Sequence, residues 1–169
     1  MLVTGGPGSG TSTLAEALAG RMAATWVEAD DNYWKPSDPP FQYKYGASER
    51  AERVLETLGK AERAVVAGSV MGWGDAVETA FDRIIFICTD PATRMARLQA
   101  RERQRYGEAR PGFLEWAAGY DGGDRPGRTL ARHRAWLAQR HVPLLRLDGG
   151  DALDALVAQA QTFCAPSAI

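Results

Sequence analysis

The residues with the clearest chemical potential lie near the start of the chain, in the segment TGGPGSGTST. Gly5 and Gly10 have the spacing of the two glycines in the pattern G-x-x-x-x-G-K-[ST], and Ser12 occupies its hydroxyl position. Glycines let the backbone wrap a phosphate with its N–H groups pointing inward, and a helix beginning at about Gly10 adds its positive end. We therefore predict a phosphate-binding loop in which Ser12 ligates Mg²⁺. The predicted nucleotide-binding residues of this glycine loop are Gly5, Gly6, Gly8, Ser9, Gly10, Thr11, Ser12 and Thr13.

One position of the glycine loop departs from the pattern, because Thr11 stands where the lysine belongs. That lysine would place a positive charge near the β- and γ-phosphates of a nucleotide. Backbone amides, the helix dipole and Mg²⁺ remain, and Lys44 and Lys35 in the following loop are candidates for the missing cation. The alternative is a glycine-rich turn that only connects a strand to a helix.

An acidic pair, Asp30 and Asp31, follows the second predicted strand about twenty residues after the glycine loop. A carboxylate at a strand end can bind the hydration shell of Mg²⁺ or accept a proton from an attacking hydroxyl. We predict that Asp30 supports the metal and that both residues are catalytic candidates, with helix capping or turn formation as the alternative. Aromatic residues in the next loop could form a wall for a ring, or could pack the loop down. They are Tyr33, Trp34, Phe41, Tyr43 and Tyr45.

Glycines and a tryptophan follow the third predicted strand, in GSVMGWGD. Gly68 ends the strand, and glycines let an acceptor approach the backbone. Trp73 could form the floor of an acceptor pocket, with Trp34 from the preceding loop. The alternative is a turn with a buried tryptophan.

Arginines form a stripe along the helix predicted after Asp90, at successive spacings of 3, 4 and 4 residues. Like charges at this spacing repel one another, and a polyanion against that face would relieve the repulsion. The stripe consists of Arg94, Arg97, Arg101 and Arg105.

A second basic helix, RTLARHRAWLAQR, follows a glycine-rich segment and begins with Arg128. The two helices frame a predicted lid over residues 101–134, and lids of this kind close over phosphates and exclude water. We predict Arg101, Arg105, Arg128 and Lys44 as catalytic cations, with Arg97 contacting the nucleotide. The alternative is a solvated basic face paired with Glu102 and Glu108. We expect His133, in the second helix, to be structural.

Short apolar runs alternate with helical patterns, and these elements must position the groups above. The predicted strands are MLVT, TWVEA, AVVAGSV, RIIFICT and VPLLRLD. The predicted helices include one capped by Ser48 and one capped by Asp90 with Pro91 at its first position. A loop is expected from Asp30 to Gly46. The alternation predicts a parallel sheet with helices on both faces, so the strand ends that carry the glycine loop, the acidic pair and Gly68 should converge.

Three segments carry a family resemblance. GGPGSGTST resembles the adenylate-kinase-type loop G-x-P-G-x-G-K-x-T apart from Thr11, and phosphoribulokinases resemble it in carrying threonine there. DDNYW and AVVAGSVMGWGD resemble small P-loop kinases described as adenylate-kinase-like or DNA topology modulation proteins. The resemblance, from Met1 to about Asp148, implies a three-layer α/β P-loop NTPase of the nucleotide-kinase type. It also implies a five-stranded parallel sheet in the order 2-3-1-4-5, an ATP site, an acceptor-binding loop at about 30–60 and an arginine-rich lid.

The resemblance also assigns roles to single positions. Asp30 matches the acceptor or Mg²⁺ carboxylate, and Gly68 matches the glycine that ends the third strand. Adenylate kinases place an aspartate just before that glycine, and here Ala67 stands there, so metal support falls more on Asp30 or Asp31. Arg50 or Arg53 would be the acceptor-binding arginine.

Composition excludes several classes of protein. The 169 residues suit a single domain over 1–169, and no apolar run approaches the roughly 20 residues of a membrane helix. A net charge of −1 argues against nucleic acid as a partner, and Cys88 and Cys164 support neither a disulfide framework nor a metal site. We expect a cytoplasmic monomer or homodimer without a membrane partner.

These features predict an ATP- and Mg²⁺-dependent phosphotransferase that acts on a small molecule, a nucleotide or a nucleoside. The alternative is a nucleotide-binding module with weak or no kinase activity, which Thr11 and Ala67 favour.

Overall fold

Five parallel strands form the sheet in the computed structural model, which describes residues 1–122 and 127–165. The strands are β1 (Leu2–Gly5), β2 (Thr25–Glu28), β3 (Ala64–Ala67), β4 (Ile84–Cys88) and β5 (Leu144–Asp148). Their order is β2-β3-β1-β4-β5, and each neighbouring pair is parallel, which confirms the predicted topology.

Helices connect the strands and cover both faces of the sheet. They are α1 (Thr11–Met22), α2 (Ala29–Tyr33), α3 (Ala47–Lys60), α4 (Asp75–Glu78), α5 (Pro91–Tyr106), α6 (Pro111–Ala118), α7 (Leu130–Ala138) and α8 (Leu153–Cys164). None of the helices in the described ranges is long and apolar enough to cross a membrane.

The central strands read as continuous apolar runs because both of their faces are buried. In β4, Ile84 and Phe86 belong to the hydrophobic cluster that includes α7, on one face of the sheet. Ile85 and Ile87 belong to the cluster that includes α1 and α8, on the other face. These two clusters hold the strand ends in place, and the site is built at those ends.

Two local predictions need correction. The segment expected to be a loop from Asp30 begins with a turn of helix, α2, whose backbone bond from Trp34 N to Asp30 O measures 3.0 Å. Ser48 does not cap α3, because the helix already begins at Ala47 and Gly46 takes the cap position without a side-chain bond. The predicted cap at Asp90 is confirmed, since its carboxylate accepts a 2.9 Å hydrogen bond from Thr93 N.

Two glycines allow the glycine loop to lie directly against its neighbours. Gly8 has a φ of +79°, and a Cβ there would lie 2.7 Å from the carbonyl oxygen of Arg94 in α5. Gly149 follows β5, and a Cβ there would collide with the Thr89 hydroxyl and lie 2.9 Å from the Ser9 carbonyl oxygen. The loop is therefore enclosed between α5 and the turn after β5.

His133 connects the sheet to the segment that follows α6. Its Nε2 lies 2.9 Å from the Thr4 hydroxyl and its Nδ1 lies 3.0 Å from the Tyr120 hydroxyl, and the ring is completely buried. Burial, reinforced by the charge of Arg128, lowers the pKa of His133 to about 3. The neutral ring donates through one nitrogen and accepts through the other. This geometry agrees with the structural role expected for His133.

The buried neutral His133 predicts a pH-dependent stability. The folded pKa lies below the unfolded value, so the unfolded state alone binds this proton, and stability is lost as pH falls from about 6.5 toward 3. Between pH 7 and pH 5, wild type should lose about 2 kcal/mol more unfolding free energy than His133→Gln. Urea denaturation at both pH values measures the difference. Equal losses in both proteins would mean that the folded state accepts the proton.

The close packing at Gly149 predicts a large effect of one added methyl group. Gly149→Ala should lower the free energy of unfolding by about 1–3 kcal/mol, because the turn and the glycine loop must separate to admit it. Gly150→Ala is the matched control, since its nearest neighbour would be the exposed Asp148 carboxylate at 3.2 Å. Similar stabilities for the two variants would contradict the described packing.

Candidate functional site

The glycine loop turns from β1 into α1 at the carboxyl edge of the sheet. Gly10 has a φ of +97°, which favours glycine, and its carbonyl accepts the first bond of α1 from Leu14 N at 3.0 Å. Ser9 N donates to the Gly6 carbonyl at 3.1 Å and so closes the turn. Gly5 is the last residue of β1, Thr11 is the first residue of α1, and Ser12 and the exposed Thr13 follow it. The backbone thus has the strand–loop–helix form that the sequence predicts.

The Ser9 side chain is a buried polar group of the glycine loop without a hydrogen-bond partner in the described part of the chain. Its hydroxyl oxygen is buried and has no hydrogen-bond partner among the described residues. Buried polar atoms are nearly always satisfied, so an orphan hydroxyl here fits a ligand oxygen as its missing partner.

Glu28 is a site residue that the sequence predictions missed. It ends β2, and its carboxylate lies close enough to the Ser12 hydroxyl for that hydroxyl to lower its pKa. It is paired in register with Ala67, the position where adenylate kinases carry an aspartate. Only the strand register reveals that a carboxylate from the neighbouring strand lies beside that position.

The pKa of Glu28 reflects its crowded surroundings. Burial raises the pKa to about 7, the Ser12 hydrogen bond opposes that rise, and the charges of Asp30 and Asp31 add to it. A carboxyl group with such a pKa is protonated far more readily than an exposed one.

The acidic pair lies on α2, directly after Glu28. Asp30 keeps solvent contact, yet the protein around it removes enough water to raise its pKa, against the opposing charges of Arg128 and Arg101. Asp31 is exposed beside it. The structure therefore brings Ser12 and the acidic residues together at the start of α1, as the convergence of strand ends predicts.

Arg101 and Arg128, two of the arginines predicted for the lid, place positive charge near the carboxylates. The charges of Arg128 and Arg101 both lower the pKa of Asp30, and the charge of Arg101 also lowers the pKa of Glu28. Burial lowers the pKa of Arg128, and the charge of Asp30 opposes that change. The other two members of the predicted set, Arg97 and Arg105, lie exposed on α5.

The lysines considered as substitutes are engaged elsewhere. Lys44 lies over the rings of Tyr33 and Trp34, with Nζ 5.4 Å and 5.3 Å from their centroids. Lys35 Nζ lies 3.7 Å from the Glu49 carboxylate. Among the described residues, Arg101 and Arg128 are therefore the cations whose charge lowers the pKa of the carboxyl groups of Glu28 and Asp30, Arg101 at both and Arg128 at Asp30.

The predicted acceptor region is an aromatic cluster with cations on its ring faces. Tyr33 and Trp73 stack with centroids 6.1 Å apart, and the Arg50 guanidinium lies 5.1 Å and 5.5 Å from the two rings. Trp73 is nearly buried, so most of its ring is part of the core. Arg53 lies over Tyr45 at 4.3 Å.

Gly68 connects this region to the carboxylates. It follows β3 with a φ of +109°, and a Cβ there would lie 3.0 Å from Ala29 and 3.6 Å from Glu28 Oε1. A side chain at this position would therefore press on the turn that carries Glu28.

Arg110 joins the predicted lid to the predicted acceptor loop. It forms two hydrogen bonds with the buried carboxylate of Glu102, at 2.6 Å and 3.1 Å. Its guanidinium also lies 5.5 Å from the ring of Phe41, which packs edge-on against Trp34. Glu102 thus pairs with Arg110 and does not form part of a solvated face.

Arg94 differs from the other members of the predicted stripe. It is almost completely buried, and its guanidinium donates to the Pro7 carbonyl at 2.7 Å and to the Asp121 carboxylate. Its position within the first turn of α5 accounts for this, because that turn packs on Gly8.

A cavity of about 570 Å³ opens beside the glycine loop, within the size range of small-molecule sites. Its lining includes Gly6 of the loop, Thr89 and Tyr120, together with Arg134 and Arg146. Within residues 1–122 and 127–165, no group of three or more His, Cys, Asp or Glu side chains is arranged to hold a metal.

Comparisons with solved structures show where this fold occurs. A gluconokinase from Sinorhizobium meliloti 1021 superposes with a TM-score of 0.60 at 17% identity, covering 96% of this chain and 89% of its own. A shikimate kinase from Bacteroides thetaiotaomicron gives 0.59 at 12% identity, covering 96% of both chains. A sugar kinase from Janibacter sp. HTCC2649 gives 0.53 at 15% identity, covering 96% and 92%. At such identities the likeness establishes the fold.

Sequence comparison gives a closer relationship. The uncharacterized protein YqaC of Bacillus subtilis (strain 168) is 34% identical over 156 residues, which is 86% of each chain. Residues 1–111 match the family described as AAA domain, and this range holds the glycine loop and the carboxylates beside it. On the extent of that match, the chain belongs to the AAA domain family of P-loop NTPases.

Proposed function

We propose that this protein is an ATP- and Mg²⁺-dependent phosphotransferase that acts on a small hydroxyl-bearing acceptor. The observation that carries the proposal is the meeting of three kinds of group at the start of α1. They are the glycine loop, the carboxylates of Glu28 and Asp30, and the charges of Arg101 and Arg128. Phosphoryl transfer depends on positioning and charge stabilisation, and these are the groups that it requires.

The residues beside the loop fit a Mg²⁺ ion. This ion is usually bound through one or two carboxylates together with phosphate oxygens, and Ser12, Glu28 and Asp30 offer a hydroxyl and two carboxylates. When bound, Mg²⁺ would neutralise charge on the transferred phosphoryl group. Glu28 would supply the carboxylate that Ala67 cannot.

Each group of the chain has a defined task in this proposal. Backbone N–H groups of Gly8, Gly10 and Thr11 would hold phosphate oxygens, together with the Ser9 hydroxyl, which is unpaired among the described residues, and the start of α1 would add its dipole. Asp30 would accept the proton of the acceptor hydroxyl, and its raised pKa makes it a better base than an aspartate with an ordinary pKa. Arg101 and Arg128 would take over the charge that a lysine at position 11 supplies in related loops.

The aromatic cluster around Tyr33 and Trp73 favours an acceptor with a ring. Arg50 and Arg53, on the faces of these rings, would bind an anionic group of the acceptor. Gluconokinase and shikimate kinase, whose fold this chain shares, are named for hydroxylated acids, so such acids belong in the first acceptor panel beside nucleosides and nucleoside monophosphates.

A second candidate is a nucleotide-binding module with little or no transfer, which Thr11 and Ala67 favour. ATP titration separates the two when it is combined with ADP release against the acceptor panel. The kinase proposal predicts release that depends on one acceptor, whereas tight binding of ATP without transfer to any acceptor would support the module.

The role of Glu28 leads to a first prediction from this proposal. Glu28→Gln should lower the rate of phosphoryl transfer by about 10²-fold or more, because the metal would lose a charged ligand. Glu16→Gln, on the exposed face of α1, is the matched control and should retain wild-type turnover. Equal turnover in both variants would remove Glu28 from the site.

The cation that replaces the lysine leads to a second prediction. Arg101→Ala and Arg128→Lys should each lower turnover, the first by about 10²-fold and the second by less, because Arg128→Lys retains a charge. Arg103→Ala, exposed on the same helix as Arg101, is the control. A larger loss in Lys44→Ala than in either lid variant would show that Lys44 supplies the charge.

A further inference from the structure

Arg94 makes the first of two connections between the glycine loop and the segment after α6. Its side chain is 1% exposed, and one arm of the guanidinium donates to the Pro7 carbonyl at 2.7 Å. The other arm donates to the carboxylate of Asp121. A buried arginine is costly unless its charge is paired, so Asp121 stabilises the arginine that supports the loop.

Tyr120 makes the second connection. A Cβ on Gly6 would lie 2.6 Å from Tyr120 Cε1, so the tyrosine ring packs directly on the backbone of the loop. The Tyr120 hydroxyl lies 3.0 Å from His133, which in turn lies 2.9 Å from the Thr4 hydroxyl at the end of β1. The Arg94 guanidinium also lies 5.0 Å from the Tyr120 ring centroid, so the two connections touch each other.

The two connections meet the loop at neighbouring points. Pro7 and Gly6 are adjacent in the loop, and Tyr120 and Asp121 are adjacent in the segment after α6. Displacing that segment would leave Arg94 buried without its carboxylate and would expose the backbone at Gly6. Moving this segment therefore costs free energy that depends on the conformation of the glycine loop, so the two are energetically coupled.

We propose that Tyr120 and Asp121 are positioning residues that hold the glycine loop in its phosphate-binding conformation. Asp121 acts through Arg94, and Tyr120 acts through Gly6 and His133. Coupling of this kind is reciprocal, so a nucleotide bound in the loop also holds the segment after α6, at residues 119–122, in place. The inference rests on the proposed function in that the loop binds phosphates.

Amide hydrogen exchange of the full chain tests the proposal, together with calorimetric titration of ATP in the presence of Mg²⁺. Tyr120→Phe removes one hydroxyl and keeps the ring on Gly6, and Asp121→Asn keeps a hydrogen-bond acceptor and removes the charge. Asp154→Asn, nearly fully exposed at the start of α8, is the matched control. All proteins are compared well below their melting temperatures, with the amides of β3 and β4 reporting global unfolding.

The proposal predicts faster exchange at residues 5–12 in Tyr120→Phe and Asp121→Asn, with unchanged exchange in β3 and β4. ATP affinity should fall about 5- to 10-fold in each variant, and ATP should slow exchange at residues 119–122 in wild type. Lower melting temperatures with unchanged loop exchange and unchanged ATP affinity would overturn the proposal. If wild type does not bind ATP, the proposed function fails, and exchange at residues 5–12 in the ligand-free proteins still decides the positioning role.

Discussion

The site depends on a balance of opposite charges that are held at one edge of the sheet. Glu28 lies beside Ser12 and close to Asp30, and loss of water around the two carboxyl groups raises the pKa of both. The charge of Arg101 opposes the rise at both residues, and the charge of Arg128 opposes it at Asp30. Neither set of charges is favourable alone in such a place, because unpaired charges in a partly buried recess are costly. The parallel sheet makes the balance possible, since it brings the ends of β2, β3 and β1 to the same edge.

A second constraint is the support of the glycine loop. A loop that presents its N–H groups to a ligand cannot satisfy them within itself, so the surrounding structure must hold it. Here α5 packs on Gly8, the turn at Gly149 packs against Ser9, and Tyr120 packs on Gly6. Arg94 is part of this support, which explains why one arginine of the stripe is buried while Arg97, Arg101 and Arg105 remain exposed.

The sequence predicts the fold well because its signals are strong and local. Apolar runs predict buried parallel strands. The glycine loop, between an apolar run and a helical pattern, predicts that the first βα unit is a phosphate-binding strand–loop–helix. The prediction of Ser48 as a cap was wrong because α3 begins at Ala47, so Gly46 takes the cap position and Ser48 lies inside the helix. Asp90 was predicted correctly because its cap position is followed by Pro91.

The candidate site was less accessible to sequence reasoning. Glu28 looks like an ordinary strand residue, and only its register with Ala67 shows that its carboxylate lies beside the position where adenylate kinases carry an aspartate. Arg94 shares the spacing of the stripe, and the sequence alone does not reveal that its helix turn packs on the loop. Both residues gain their roles from contacts between elements that are far apart in the chain. Local pattern carries no information about such contacts.

The central claim is that a phosphate site operates here without the loop lysine, with arginines of the lid and the Glu28 carboxylate around it. The most direct measurement is calorimetric titration of ATP into the full chain, once with Mg²⁺ and once with a chelator. The account predicts saturable binding to one site per chain that is tighter with Mg²⁺. Absence of binding under both conditions would contradict it.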